Sequence, residues 1–263
     1  MTSGMEIAAA VAMRHRELSR VLETIDLETL LGESELPGWS RLTIVCHLRY
    51  GAQASEQMTS DALADLPTGF YPGGRAAQRP STLQPAPDES AADVIQSFNE
   101  SSAVLDETWS HIPAEAWDET TTREPVGNPD LGSFTLKELA ILRLTEVEVH
   151  GTDLDLGLSD WSDTFINAAW PMRVTWLPRR HSISKSSPIS WNLVPTDGPA
   201  FNVSVRQAEV TVSEGTGDNA GVVISGSQAQ LLGMLLGRVD ISRLAVSGNE
   251  VTALQFPNAF LPP

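Results

Sequence analysis

A chain of 263 residues, 41% of them hydrophobic and 19% charged, holds enough apolar material for one large packed domain or two ordinary ones. Seventeen basic residues against 34 acidic ones give a formal charge of −17, which argues against binding nucleic acid or docking on anionic membranes. The single cysteine, Cys46, excludes an internal disulfide and a cysteine-built zinc site. With no signal-peptide pattern and no apolar run near the ~20 residues that span a bilayer, the cytoplasm is the expected location.

In chain order, apolar residues recur at helical spacing over about residues 6 to 25, with Val11, Leu18, Val21, Leu22 and Ile25 on one face. Leu36-Pro-Gly-Trp39 reads as a turn, after which Ser40 can cap a second helix running to about Leu63. Residues 66–87 carry Pro67, Gly69, Pro72, Gly73, Gly74, Pro80, Pro85 and Pro87, and no regular element is expected there. A loop of that length either covers a site or is a bare connection. Asp88 is expected to cap a third helix ending near Ile112. Thr135 and Glu138 have capping-box spacing at the head of a fourth, from Leu136 to about Leu156.

The character changes near Ser159. A helix is expected over 163–180, then strands at 190–194, 201–205, 209–213 and 222–224, with turns at 196–199 and 215–217, and a helix over 227–237. The fold expected is therefore α+β with two domains: a four-helix bundle over residues 1–160 and a smaller α+β domain over 161–263.

Five histidines are present, and two lie in apolar helical contexts: His47 in the second helix and His150 in the fourth. Glu146 and His150 are four apart, so their side chains share a helix face and can converge. Imidazole nitrogen and carboxylate oxygen are good ligands for a divalent ion, and His47 on a facing helix could supply a third. Three protein ligands leave positions open for water and substrate. Taken singly, each has a plainer reading: a solvated Glu–His pair, or a hydrogen-bonded core histidine. Glu148, between the two, is expected to point elsewhere.

Two segments carry a family likeness. Leu36-Pro-Gly-Trp-Ser-Arg-Leu-Thr-Ile-Val-Cys-His-Leu48 and Arg143-Leu-Thr-Glu-Val-Glu-Val-His-Gly-Thr-Asp-Leu154 resemble the helix entry and the Glu/His helix of mycothiol-dependent maleylpyruvate isomerases. These belong to the wider DinB-like group of metal-binding four-helix bundles. The resemblance implies that His47, Glu146 and His150 bind the metal. The segment from Ser225 to Arg238 resembles the family's C-terminal helix, ending in Gly237-Arg238. That likeness nominates Arg238 as a catalytic residue holding a substrate carboxylate, against the plainer reading of an arginine at a helix C-terminus. Residues 160–220 carry little that matches.

What the resemblance implies chemically is a divalent metal, zinc first among the candidates, and mycothiol as the thiol cosubstrate. The thiolate would attack a small electrophile, either transferring sulfur or isomerising a maleylpyruvate-like cis acid. The partners are then a small electrophile and a low-molecular-weight thiol, and the oligomeric state is not legible. Two other classes stay open: a non-haem Fe(II) enzyme using two histidines and a carboxylate, and a non-catalytic metal or ligand carrier. Around the trio, Asp153 either orients His150 or merely accepts a backbone bond; the second is preferred. Cys46 is read as a small core residue, Trp39 as an anchoring core residue, and Arg179, Arg180 and His181 as a solvated helix end.

Overall fold

The computed structural model of the chain describes residues 2–125, 132–179, 181–183, 188–218 and 220–260. It divides into two compact units, Met1–Phe165 and Ile166–Pro263. Among the described residues there are ten α-helices and a five-stranded sheet, and no helix is long and apolar enough to cross a membrane.

The first unit is built on four long helices: α1 (Gly4–Leu22), α3 (Arg41–Leu63), α5 (Ala91–Ser110) and α7 (Leu136–Asp153). Each packs on two of the others, α1 on α5 and α7, α3 on α5 and α7. Helical spacing of apolar residues produces the core. Ile7, Val11, Leu18 and Leu22 of α1 are buried with Val94, Phe98 and Leu105 of α5 and Leu139, Leu144 and Val147 of α7. Their starts are set by side-chain caps. Ser3, Ser40, Ser90 and Thr135 each accept from the backbone N–H three residues on, and Glu6, Asp93 and Glu138 close capping boxes. The third expected helix is thus capped by Ser90 rather than by Asp88, whose φ of 68° places it in the left-handed turn before it.

Three short helices of this unit were not expected. α2 (Leu27–Leu31) is capped by Asp26, and α4 (Arg75–Thr82) lies inside the segment whose breakers argued against any regular element. Pro80 is tolerated because it costs a two-turn helix one backbone bond. The hydroxyls of Ser81 and Thr82 donate to Gln78 O and Arg79 O in the closing turn. α6 (Ala116–Glu119) precedes α7.

The division between the units falls within α8 (Asp163–Thr175), which ends short of the expected Arg180; a 3₁₀ turn follows at Leu177–Arg179. In the second unit, β1 (Ile189–Pro195), β2 (Phe201–Arg206), β3 (Glu209–Glu214), β4 (Val222–Gly226) and β5 (Ala245–Gly248) form one sheet in the order β3-β2-β1-β4-β5. β1 and β4 pair parallel and the other neighbours antiparallel. Trp191, Leu193, Val203, Val205, Val222 and Ile224 bury one side of the strands. α9 (Gln228–Leu235) and α10 (Glu250–Ala259) complete the unit. Arg179 lies over the Trp176 ring, 4.4 Å from its centroid, which fits a solvated helix end; Arg180 lies outside the described residues.

Candidate metal centre

Ser40 fixes the start of α3, so His47 falls two turns in, on a buried face. Thr135 does the same for α7, placing Glu146 and His150 one turn apart in its C-terminal half. Packing of α3 on α7 then brings the three side chains together. One ligand atom from each lies within 4.8 Å of the others. His47 Nε2 is 2.7 Å from Glu146 Oε2, and His150 Nε2 is 3.5 Å from the same oxygen. The Glu146 side chain retains 36% exposure, so the cluster opens toward solvent on one side.

Asp153 has the role that the sequence reading set second. It is buried, and its Oδ2 lies 2.8 Å from His150 Nδ1. Accepting from Nδ1–H fixes the ring so that Nε2, on the cluster side, is the nitrogen that would give up its proton to a bound cation. Trp39 is not a core anchor. Its indole stacks on His150 (centroids 5.9 Å apart, 11° between planes) and meets His47 edge to face at 5.4 Å, walling the site. The Arg79 guanidinium, from α4, lies over the same indole at 5.7 Å.

The electrostatics follow from this crowding. Burial pushes the Glu146 carboxyl up, but hydrogen bonds from His150 and His47 outweigh it and hold the group well below the usual carboxylate range. Burial lowers His47 further than Glu146 can restore. Burial also works against the His150 charge, yet Asp153 and Glu146 overcome it and raise the ring to about 9. Two imidazoles and a carboxylate converging on one point, with a carboxylate behind one ring, are a donor set that fits a divalent cation.

Glu148 and Cys46, on the same two helices, stay outside the cluster. Glu148 points away, as expected. It is buried, takes Arg14 Nε at 2.9 Å and accepts from Ser162 Oγ. Cys46 is fully buried and burial pushes its thiol up to about 11, far from thiolate at neutral pH. Arg238 belongs to the second unit, following α9; its Nη1 donates to Leu236 O at 3.0 Å.

A second buried constellation escaped the sequence. Arg143 donates through Nη1 to Leu48 O at 2.9 Å, and through Nε and Nη2 to His15 Nε2 at 3.2 and 2.9 Å. His15 Nδ1 in turn lies 2.8 Å from Asp106 Oδ1. This chain ties α1, α5 and α7 to the α3 backbone one residue past His47. Burial, helped by the Arg143 charge, pushes His15 down to about 4 against the pull of Asp106, so the ring is neutral and accepts from the guanidinium.

Residues 11–155, more than half of the chain and including all three clustered side chains, match the family model described as "Mycothiol maleylpyruvate isomerase N-terminal domain". The chain belongs to this family. A crystal structure of the mycothiol-dependent maleylpyruvate isomerase is similar to it with a TM-score of 0.67 at 18% identity, covering 95% of this chain and 97% of that one. A mutant of that enzyme with one histidine replaced by alanine gives the same values. At that identity the likeness is one of fold, and it extends beyond the family's N-terminal domain into the sheet-containing unit. No curated protein matches the chain.

Proposed function

We propose that this member of the mycothiol maleylpyruvate isomerase family is a cytoplasmic, metal-dependent enzyme in which mycothiol attacks a small electrophile. The reaction is cis–trans isomerisation of a maleylpyruvate-like acid or transfer of the thiol to the electrophile. The observation carrying this reading is the convergence of His47, Glu146 and His150 within 4.8 Å. We read the first unit as the DinB-like four-helix bundle that presents them.

A bound divalent ion, zinc for preference, would be held by His47, Glu146 and His150 and would supply Lewis-acid chemistry that makes a thiolate accessible at neutral pH. The protein's own share is positional. Asp153 keeps the His150 Nε2 lone pair facing the cluster, Glu146 supplies fixed negative charge, and Trp39 shields both imidazoles from water on one side. Burial of Cys46 supports a sulfur nucleophile that comes from outside the chain. In isomerisation, the sulfur adds to one carbon of the conjugated double bond and the π electrons move onto the adjoining carbonyl. Rotation about the new single bond and expulsion of the thiolate then give the trans acid. Arg238 is assigned the substrate carboxylate, on the family likeness of its segment.

The test is metal content by mass spectrometry of wild type, His47→Ala, Glu146→Ala and His150→Ala, purified without chelator or histidine tag. We expect about one ion per chain in wild type and a fall of at least ~10-fold in each variant. Wild type that takes up no added divalent metal, or variants that bind as well as it does, would overturn the reading.

A further inference from the structure

His47 and His150 are not held in the same way. Asp153 stands behind His150 at Nδ1, whereas His47 Nδ1 is buried with no hydrogen-bond partner among the described residues. A ligand imidazole ordinarily has its far nitrogen fixed by an acceptor, which sets the orientation of the ring. His47 has only the edge-to-face contact with Trp39 to steady it. Its reach toward Glu146 therefore depends on where the α3 backbone sits against α7.

Arg143 fixes that position one residue beyond His47. It precedes Glu146 by three residues and His150 by seven, so it rises from the same face of α7 as those two side chains. Its Nη1 donates to Leu48 O at 2.9 Å, and Gly51 leaves the gap that it enters. The rest of the guanidinium is clamped. Nε and Nη2 both donate to His15 Nε2, and Asp106 holds His15 through Nδ1. A planar fork held at all three nitrogens cannot swivel, so the carbonyl it grips is held in place with it.

Stability alone does not account for this arrangement. Arg143 is 2% exposed, and its hydrogen-bond partners are a neutral ring and a carbonyl rather than a carboxylate. Burial lowers its pKa to about 10, with Glu146 and Asp106 holding it up, so the guanidinium stays charged at neutral pH. A well-packed hydrocarbon would fill the same space without the cost of desolvating a cation. A hydrocarbon could not, however, fasten one carbonyl of α3 to one point along α7.

We propose that Arg143, braced by His15 and Asp106, is a positioning residue for the metal centre. By fixing α3 at Leu48 it sets the reach of His47 toward Glu146 and His150, and with it the affinity and geometry of the site for a divalent ion. The inference deepens the proposed function and rests on its metal reading.

The experiment is titration of the full chain, stripped of metal with chelator, with Co²⁺ alone, whose visible absorption reports coordination geometry. Wild type, Arg143→Met, Arg143→Lys, His15→Leu and His15→Gln are compared with Ile7→Ala, a core truncation on α1 two turns from His15. Folding is followed by circular dichroism and thermal melts. Arg143→Met and His15→Leu should weaken Co²⁺ binding at least ~10-fold and shift the absorption bands. Arg143→Lys keeps a donor for Leu48 O and His15→Gln keeps an acceptor for the guanidinium, so each should recover part of the loss. Ile7→Ala should melt lower yet bind Co²⁺ as wild type does. Folded Arg143→Met and His15→Leu with wild-type affinity and spectrum, or an Ile7→Ala that loses as much affinity as they do, would overturn the role. Should neither of those two fold, Arg143→Lys set against Ile7→Ala decides it in the same way. Wild type that binds no Co²⁺ would sink the metal reading and this role with it. Wild-type binding that the Arg143 and His15 variants leave unchanged would remove the role alone and leave the metal reading standing.

Discussion

His15 shows how one buried side chain can set a pH limit for the whole molecule. Its folded pKa is about 4, below the ~6.5 of an unfolded histidine, because burial and Arg143 disfavour the charged ring. A depressed folded pKa means that the unfolded chain binds the extra proton first. The associated stability is fully present above pH ~6.5 and is lost as pH falls toward 4. Between pH 7.5 and pH 5 the loss is about 2 kcal/mol. His150, with its raised pKa, gains stability over the same interval, so urea denaturation of wild type and His15→Gln at both pH values is needed to isolate the effect, and the variant should lack about that much acid-side loss. An unchanged difference would mean that His15 is not the buried, neutral acceptor described. At the same scale, the trio of ligand candidates was legible because spacing alone puts Glu146 and His150 on one face. The orienting Asp153 was visible as a residue but not as a contact. The His15–Arg143–Asp106 chain was not legible, because its members lie on three helices and meet only through packing.

At the scale of elements, α3 and α7 pack together to unite His47 with the other two, and Gly51 of α3 leaves room for the Arg143 side chain of α7. A Cβ at Gly51 would stand 2.8 Å from Arg143 Nη1, the atom that donates to Leu48 O. Gly51→Ala should therefore push the guanidinium out of its bond and destabilise the fold by roughly 1–3 kcal/mol, despite alanine's better helix propensity. Thermal melts beside an exposed-site alanine control would check this; a stabilised Gly51→Ala would show that Arg143 yields freely. The long helices and four strands were readable from period and caps, since Ser40 and Thr135 precede unbroken periodic runs. Other elements were hidden for separate reasons. Breaker density concealed α4, although Pro80 removes only one of its bonds. β5 is four residues long and exposed throughout, so it has no alternation to read. α10 carries Pro257, and α2 spans just over one turn.

For the whole molecule, the family match over residues 11–155 contains all three ligand candidates, while Arg238 lies in the unit that follows. If both assignments hold, binding metal and gripping the acid are separable by mutation. Arg238→Ala should retain the wild type's metal content, yet lose at least ~10-fold in kcat/KM on a maleylpyruvate-like acid, with KM carrying most of the change. Equal turnover by variant and wild type would remove Arg238 from the reaction. On the proposed metal reading, the three candidate ligands are not held equally firmly. Two of them ride on a single helix and cannot drift apart, whereas the distance to the third is set by how two helices nestle. Lineages could therefore retune the grip on the ion through small residues such as Gly51 and Ala52, leaving His47, Glu146 and His150 untouched. Divergence in metal preference would then be written in the packing between helices, where a comparison of ligands alone would never find it.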